Sequence, residues 1–177
     1  MSARASSPGL VERLWDVVHP PRTVYAHCDI PCGIYDPHEA QLAALTVMRM
    51  DQLIAEAAAP AMDAKPEDRK EFQSKLARYT TVKETHAERV KSEIRVIWGD
   101  YFTADHVKQF PQAHDLVWRI MKQASKARQG TNLADAQELV KVVQDFAEIF
   151  WQTKGAKTRR VPSMQKSGGE FVVPVPP

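Results

Sequence analysis

The chain has 177 residues, enough for one ordinary domain with a real core and too few for two comfortable ones. Acidic and basic side chains nearly balance, at a formal net charge of +2. That excludes the strong basic excess of a nucleic-acid binder. No apolar run approaches the ~20 residues of a membrane-spanning helix, and Leu10 to Val18 is interrupted by Glu12, Arg13 and Asp16, so it is no secretory h-region. The expected address is the cytoplasm, without membrane or nucleic-acid partners. Disulfides are uncommon there, so the two cysteines are expected to be working thiols.

Residues 1–26 precede any helical pattern and carry Pro20-Pro21. The first helix is expected from Asp36-Pro37-His38-Glu39, with Asp36 as N-cap, Pro37 at the first helical position and Glu39 at the capping-box position. Ala43, Val47, Met50, Ile54 and Ala57 then form its apolar stripe. A second helix starts at Pro66, with Phe72, Leu76, Tyr79, Val82, Val90, Ile94 and Ile97 on one face and His86 filling the gap. Trp98-Gly99-Asp100-Tyr101-Phe102 closes it, and Thr103 can cap a short segment reaching Phe110.

Pro111 opens a third helix carrying Leu116, Val117, Ile120, Met121 and Ala124, broken at Gly130-Thr131-Asn132. The fourth has the clearest stripe: Ala136, Leu139, Val140, Val143, Phe146, Ala147 and Phe150, with Gly155 as a C′ glycine. Short links between helices favour antiparallel neighbours. The expected fold is all-α: an up-and-down antiparallel four-helix bundle over residues 36–155. After it, residues 156–177 read as an extended tail with Pro162, Gly168-Gly169 and a Val-Val-Pro-Val-Pro-Pro ending. Lys154, Lys157, Arg159 and Arg160 give the start of this region a solvated basic character.

The chemistry concentrates in residues 27–37, His-Cys-Asp-Ile-Pro-Cys-Gly-Ile-Tyr-Asp-Pro. Both cysteines of the chain lie here, Cys28 beside His27 and Cys32 four residues on. Thiolates and imidazole suit borderline and softer transition metals. Pro31 fixes a bend and Gly33 permits a curl, so both sulfurs can reach one ion. A structural zinc site normally takes four side chains, and this hook supplies three. On these residues alone, a local disulfide or a non-catalytic helical protein storing or delivering nickel, copper or zinc also fits.

The whole string resembles the nickel hook of nickel-containing superoxide dismutases. Trp98-Gly99-Asp100-Tyr101-Phe102 and Ile149-Phe150-Trp151-Gln152-Thr153-Lys154 also resemble that family's helix ends, in the same order. The resemblance runs from His27 to about Lys154. It implies a superoxide dismutase that makes dioxygen and hydrogen peroxide through a Ni(II)/Ni(III) cycle, with one nickel ion per subunit.

The family likeness further implies that a protease removes the leader, residues 1–26, by cutting before His27. The hook, residues 27–35, then binds nickel through the freed His27 amine, the Cys28 amide nitrogen and the thiolates of Cys28 and Cys32, with the His27 imidazole as an axial ligand. It implies a homohexamer of four-helix bundles as well. Tyr35 is the candidate for holding water or the anion near the metal, and Asp29 for fastening the hook or moving a proton. Tyr101 matches a family tyrosine expected close to the site.

His86 and Ala43 stand where some members carry an arginine and a carboxylate. His19, His38, His106 and His114 have no partners at ligand spacing and read as solvent-facing or capping residues.

Overall fold

The computed structural model describes residues 33–175. Within them the chain is mostly helical: α1 (His38–Glu56), α2 (Pro66–Val96), a π-helical turn (Ile97–Tyr101), α3 (Ala104–Gln109), α4 (Ala113–Gln129) and α5 (Leu133–Thr153). A hairpin comes next, β1 (Thr158–Pro162) and β2 (Glu170–Pro174). No helix among the described residues is long and apolar enough to cross a membrane.

The four long helices pack in a closed ring, α1 on α2 and α5, and α4 on α2 and α5. Between them lies a single apolar cluster that includes Val47, Val90, Ile94, Ile120, Leu139, Phe146 and Phe150. On α5 every residue of the expected stripe is buried, and so are Val142 and Ile149, because this helix meets neighbours on two sides. Asn132 starts it by accepting from the Ala134 amide at 3.0 Å. Gly155, at φ 70°, ends it, its amide bonding the Gln152 carbonyl while Ala156 N reaches Trp151 O. A left-handed C′ residue of this kind is where glycine carries no steric cost.

α1 starts one residue later than expected, at His38 with Pro37 in the N-cap position; Asp36, just before it, accepts from the His38 amide at 2.8 Å. Glu39 makes no capping box; it pairs with Arg89 of α2. Along α1 the buried side centres on Ala40, Ala43, Ala44, Val47, Met48 and Asp51, while Met50 and Ile54 are half-buried at its edge.

The second helix departs further from its expected register. Val82 is 37 % exposed, and the buried line is Lys83, Ala87, Val90 and Ile94. Lys83, only 1 % exposed, reaches Asp51 of α1 with Nζ 3.2 Å from Oδ1 and also donates to the Gly130 carbonyl. Periodicity assigned the slot to valine because a lysine is rarely buried without a partner; here the partner arrives from another helix.

The chain departs from the all-α expectation after Gly155. The segment expected to be an extended tail folds back as an antiparallel pair, in register from Thr158 opposite Pro174 to Pro162 opposite Glu170. Its prolines sit at strand ends, where no central ladder bond is lost. Phe171 and Val172 are buried, and β2 packs on α5. Gly169 carries φ 78°, and a Cβ there would stand 2.8 Å from Leu45 Cδ2 of α1, so the turn needs glycine to seat against the bundle.

On the open side of β2, Gln41 of α1 substitutes for a missing strand. Its Nε2 donates to Val172 O at 3.1 Å and its Oε1 accepts from Val172 N at 2.7 Å. Both groups are buried, where an unpaired amide would be costly.

Candidate metal centre and its aromatic wall

Of the expected site residues, Tyr35 lies among the described ones, and His27, Cys28, Asp29 and Cys32 lie outside them, as do residues 1–26 and His19. Among the described residues no group of three or more His, Cys, Asp or Glu side chains could hold a metal ion. What the structure describes is an aromatic wall at Tyr35, the last residue of the expected hook.

Tyr35 is half-buried and packs on the core cluster. Its ring lies 5.6 Å from that of Tyr101, centroid to centroid, at 48°. Tyr101 reaches this place through the π-helical turn, which ends α2 with a Phe102 N to Ile97 O bond of 3.3 Å. A π turn holds one more residue than an α turn, and such turns often accompany functional sites. The helix closes over Trp98-Gly99-Asp100-Tyr101-Phe102 as expected, with Phe102 at its end, and it does so as a widened turn that passes through Gly99.

Around Tyr101 the rings are dense. Phe150 lies 4.9 Å away, His106 stacks at 5.2 Å, and Phe102 stands edge-on at 5.7 Å. The Tyr101 hydroxyl bonds to Thr153 Oγ1 at 2.8 Å. Over the ring, Lys154 holds Nζ 5.2 Å from the Tyr101 centroid and 5.1 Å from that of Phe150. An exposed cation at the faces of two rings is held by their quadrupoles. It also completes α5 at the end where backbone carbonyls favour positive charge.

Two histidines expected to face solvent or cap have definite partners. His106 does cap: Thr103 accepts from its amide at 3.3 Å and donates its own amide to His106 Nδ1 at 3.3 Å, while its ring stacks on Tyr101. His114 accepts a 2.9 Å bond from Trp98 Nε1. His38 lies against Phe171, 4.7 Å between centroids. His86 is half-buried on α2 with Nδ1 2.9 Å from Val82 O, and Ala43 is in the core. A carboxylate and a cation do meet across α1 and α2, one turn away, as Glu39 and Arg89.

Sequence reasoning missed Thr153 and the buried Asp51–Lys83 pair. For Thr153 the available signal was its place in the Phe150-Trp151-Gln152-Thr153-Lys154 string. For Asp51 and Lys83 there was none, since only the packing of α1 against α2 brings them together. Burial holds the Asp51 carboxyl above its ordinary range, the nearby Lys83 ammonium pulls it back, and the Asp135 carboxylate pushes it up again.

Comparison with known proteins places this arrangement. Residues 22–154 match the family model for nickel-containing superoxide dismutase. The superoxide dismutase [Ni] of Streptomyces coelicolor is 35 % identical over 137 residues, which cover 77 % of this chain and 95 % of that protein. The enzyme of the same name from Streptomyces seoulensis is 35 % identical over 133 residues, covering 75 % of this chain and 92 % of that protein. A crystal structure of a nickel-containing superoxide dismutase with ligation corresponding to the oxidized state superposes with a TM-score of 0.62 at 35 % identity, covering 73 % of this chain and all of that one. With a family match over most of the chain and relatives matched nearly end to end, the chain belongs to the nickel-containing superoxide dismutases.

Proposed function

We propose that the nickel of this superoxide dismutase is held by His27, Cys28 and Cys32, on a hook that becomes competent when residues 1–26 are removed. The donor chemistry fits: two thiolates and an imidazole within six residues suit nickel. The observation that carries the reading is the Tyr35–Tyr101 pair, which anchors the chain three residues beyond Cys32 on the aromatic wall. A storage or delivery protein would need the soft ligands and no such wall.

The reaction consumes two superoxide ions and two protons and yields one dioxygen and one hydrogen peroxide. Bound nickel would supply a centre able to accept one electron and return it. The residues do the rest. Tyr35 holds water or the anion beside the hook through its hydroxyl. Asp29 fastens the hook by accepting backbone donors, and Lys154 adds positive potential on the approach of an anion.

While the bond between Ala26 and His27 is intact, the His27 nitrogen is a planar amide whose lone pair is delocalised, and it cannot act as an amine ligand. Cleavage frees it. We further propose that the bundle is up-and-down and antiparallel, as its short links favour, and that it assembles as a cytoplasmic homohexamer.

The test is a pair of chains, one beginning at His27 and one retaining a single extra residue before it. Both keep every side-chain ligand. The chain beginning at His27 should take up nickel and dismutate superoxide, and the extended one should lose most activity. Equal activity in the two would rule out the amine as a ligand.

A further inference from the structure

Two hydrogen bonds at the end of α5 fix the direction of one proton. Thr153 Oγ1 lies 2.6 Å from the Phe150 carbonyl oxygen and 2.8 Å from the Tyr101 hydroxyl oxygen. A carbonyl oxygen can only accept, and a threonine hydroxyl has one proton to give. That proton goes to Phe150. Thr153 therefore meets Tyr101 as an acceptor, and the Tyr101 O–H donates to it. The ring cannot turn away to choose another partner, because Phe150, Phe102, His106 and Tyr35 surround it.

From this geometry we infer that Thr153 is a positioning residue for the dismutation: it commits the Tyr101 proton inward, so that Tyr101 meets the reaction as a hydrogen-bond acceptor. The inference rests on the reading that Tyr35 and Tyr101 flank the hook. Its consequence is a division of work between the two tyrosines. Superoxide carries no proton and accepts hydrogen bonds, so an acceptor-only Tyr101 does not capture it. Water and hydrogen peroxide can donate to Tyr101. Donation toward the anion is left to Tyr35 and the Lys154 ammonium. No proton leaves Tyr101 during turnover.

Replacing Thr153 by valine keeps the shape and removes the acceptor, so the Tyr101 proton can swing outward. Replacing it by serine keeps the acceptor. Direction can be read without metal from the tyrosine Raman doublet of the nickel-free protein, with the spectrum of Tyr101→Phe subtracted to isolate this ring. Thr153→Val should lose the donor signature and Thr153→Ser should keep it. With nickel loaded, the outward proton of Thr153→Val should hold anions at Tyr101, away from their productive place, and so lower both kcat/KM and the azide concentration giving half inhibition, each by about 3- to 10-fold, the worth of one hydrogen bond. Serine should restore both.

An unchanged doublet in Thr153→Val would overturn the proton direction. A changed doublet with unchanged kinetics and azide response would overturn the positioning role. Failure of the nickel-loaded wild type to dismutate would instead count against the hook reading and leave the doublet result standing on its own.

Discussion

Lys83→Met tests the least expected feature of the core. The substitution keeps most of the side chain's bulk but strands the Asp51 carboxylate, whose residue is fully buried and whose charge partner is the Lys83 ammonium. The Gly130 carbonyl loses its donor as well. Removing one partner of a buried ion pair costs about 3–5 kcal/mol, a large share of the roughly 5–15 kcal/mol that holds a domain folded. For a chain of this size each kcal/mol moves Tm by about 2–4 °C, so a fall of roughly 6–20 °C is expected in thermal unfolding followed by circular dichroism. Replacing both partners, Asp51→Leu with Lys83→Met, should recover most of the loss, since two apolar groups need no partner.

The pH dependence has a definite sign. Burial raises the Asp51 carboxyl in the folded chain. Between its ordinary value and that raised one, the folded state binds more protons than the unfolded state, so stability falls as pH rises through the window. Without Lys83 the folded value moves higher and the window widens. The single variant should therefore lose less stability at about pH 5 than at about pH 7. A loss below about 1 kcal/mol, or a double variant no better than the single one, would refute the account.

Other expectations concern the site and the hairpin. Cys28→Ser or Cys32→Ser should abolish nickel-dependent dismutation, because a hydroxyl is a far poorer anionic donor than a thiolate; His27→Gln should retain nickel, measured by metal analysis, while turnover falls. Lys154→Gln should lower kcat/KM about 2- to 5-fold at low ionic strength and converge with the wild type as salt screens the charge, whereas Lys154→Arg should behave as the wild type. Equal salt slopes for all three would remove Lys154 from the approach path. Gln41→Ala should cost about 1–3 kcal/mol for each Val172 group left unsatisfied, and hydrogen exchange at the Val172 amide should speed up while core amides of α5 stay protected.

The sequence was most legible where one physical signal dominated. The α5 stripe, its Gly155 stop and the Thr103 cap could be read directly, since each depends on spacing or on a single residue's backbone preference. Family membership was legible through the resemblance of the whole string from His27 to Pro37, whereas its thiols and imidazole taken alone left other uses open. The middle of α2 was misread by one residue, Val82 and His86 in place of Lys83 and Ala87, because a periodicity argument places charges outside and has no means of seeing that Asp51 waits opposite Lys83. The hairpin escaped because its strands are short, end in proline, and are completed by Gln41, 131 residues before Val172. Tyr101 was legible as a family tyrosine; the direction of its proton was not, since that depends on which way Thr153 faces.

The widened turn at Ile97–Tyr101 also makes the site sensitive to counting rather than to chemistry. Each residue of an α-helix advances the chain by about 100°. Deleting two residues of this turn, Gly99 and Asp100 for example, would exceed the one extra residue that the widened turn holds and would swing Tyr101 to another face. Every side chain of the wall would still be encoded, yet the ring would no longer lie between Tyr35 and Phe150. Substitutions at the exposed Trp98, Gly99 and Asp100 should thus be far better tolerated than the loss of two of them. Over evolutionary time, insertions and deletions in this chain should collect in the α1–α2 and β1–β2 connections, leaving the five-residue span at a constant length.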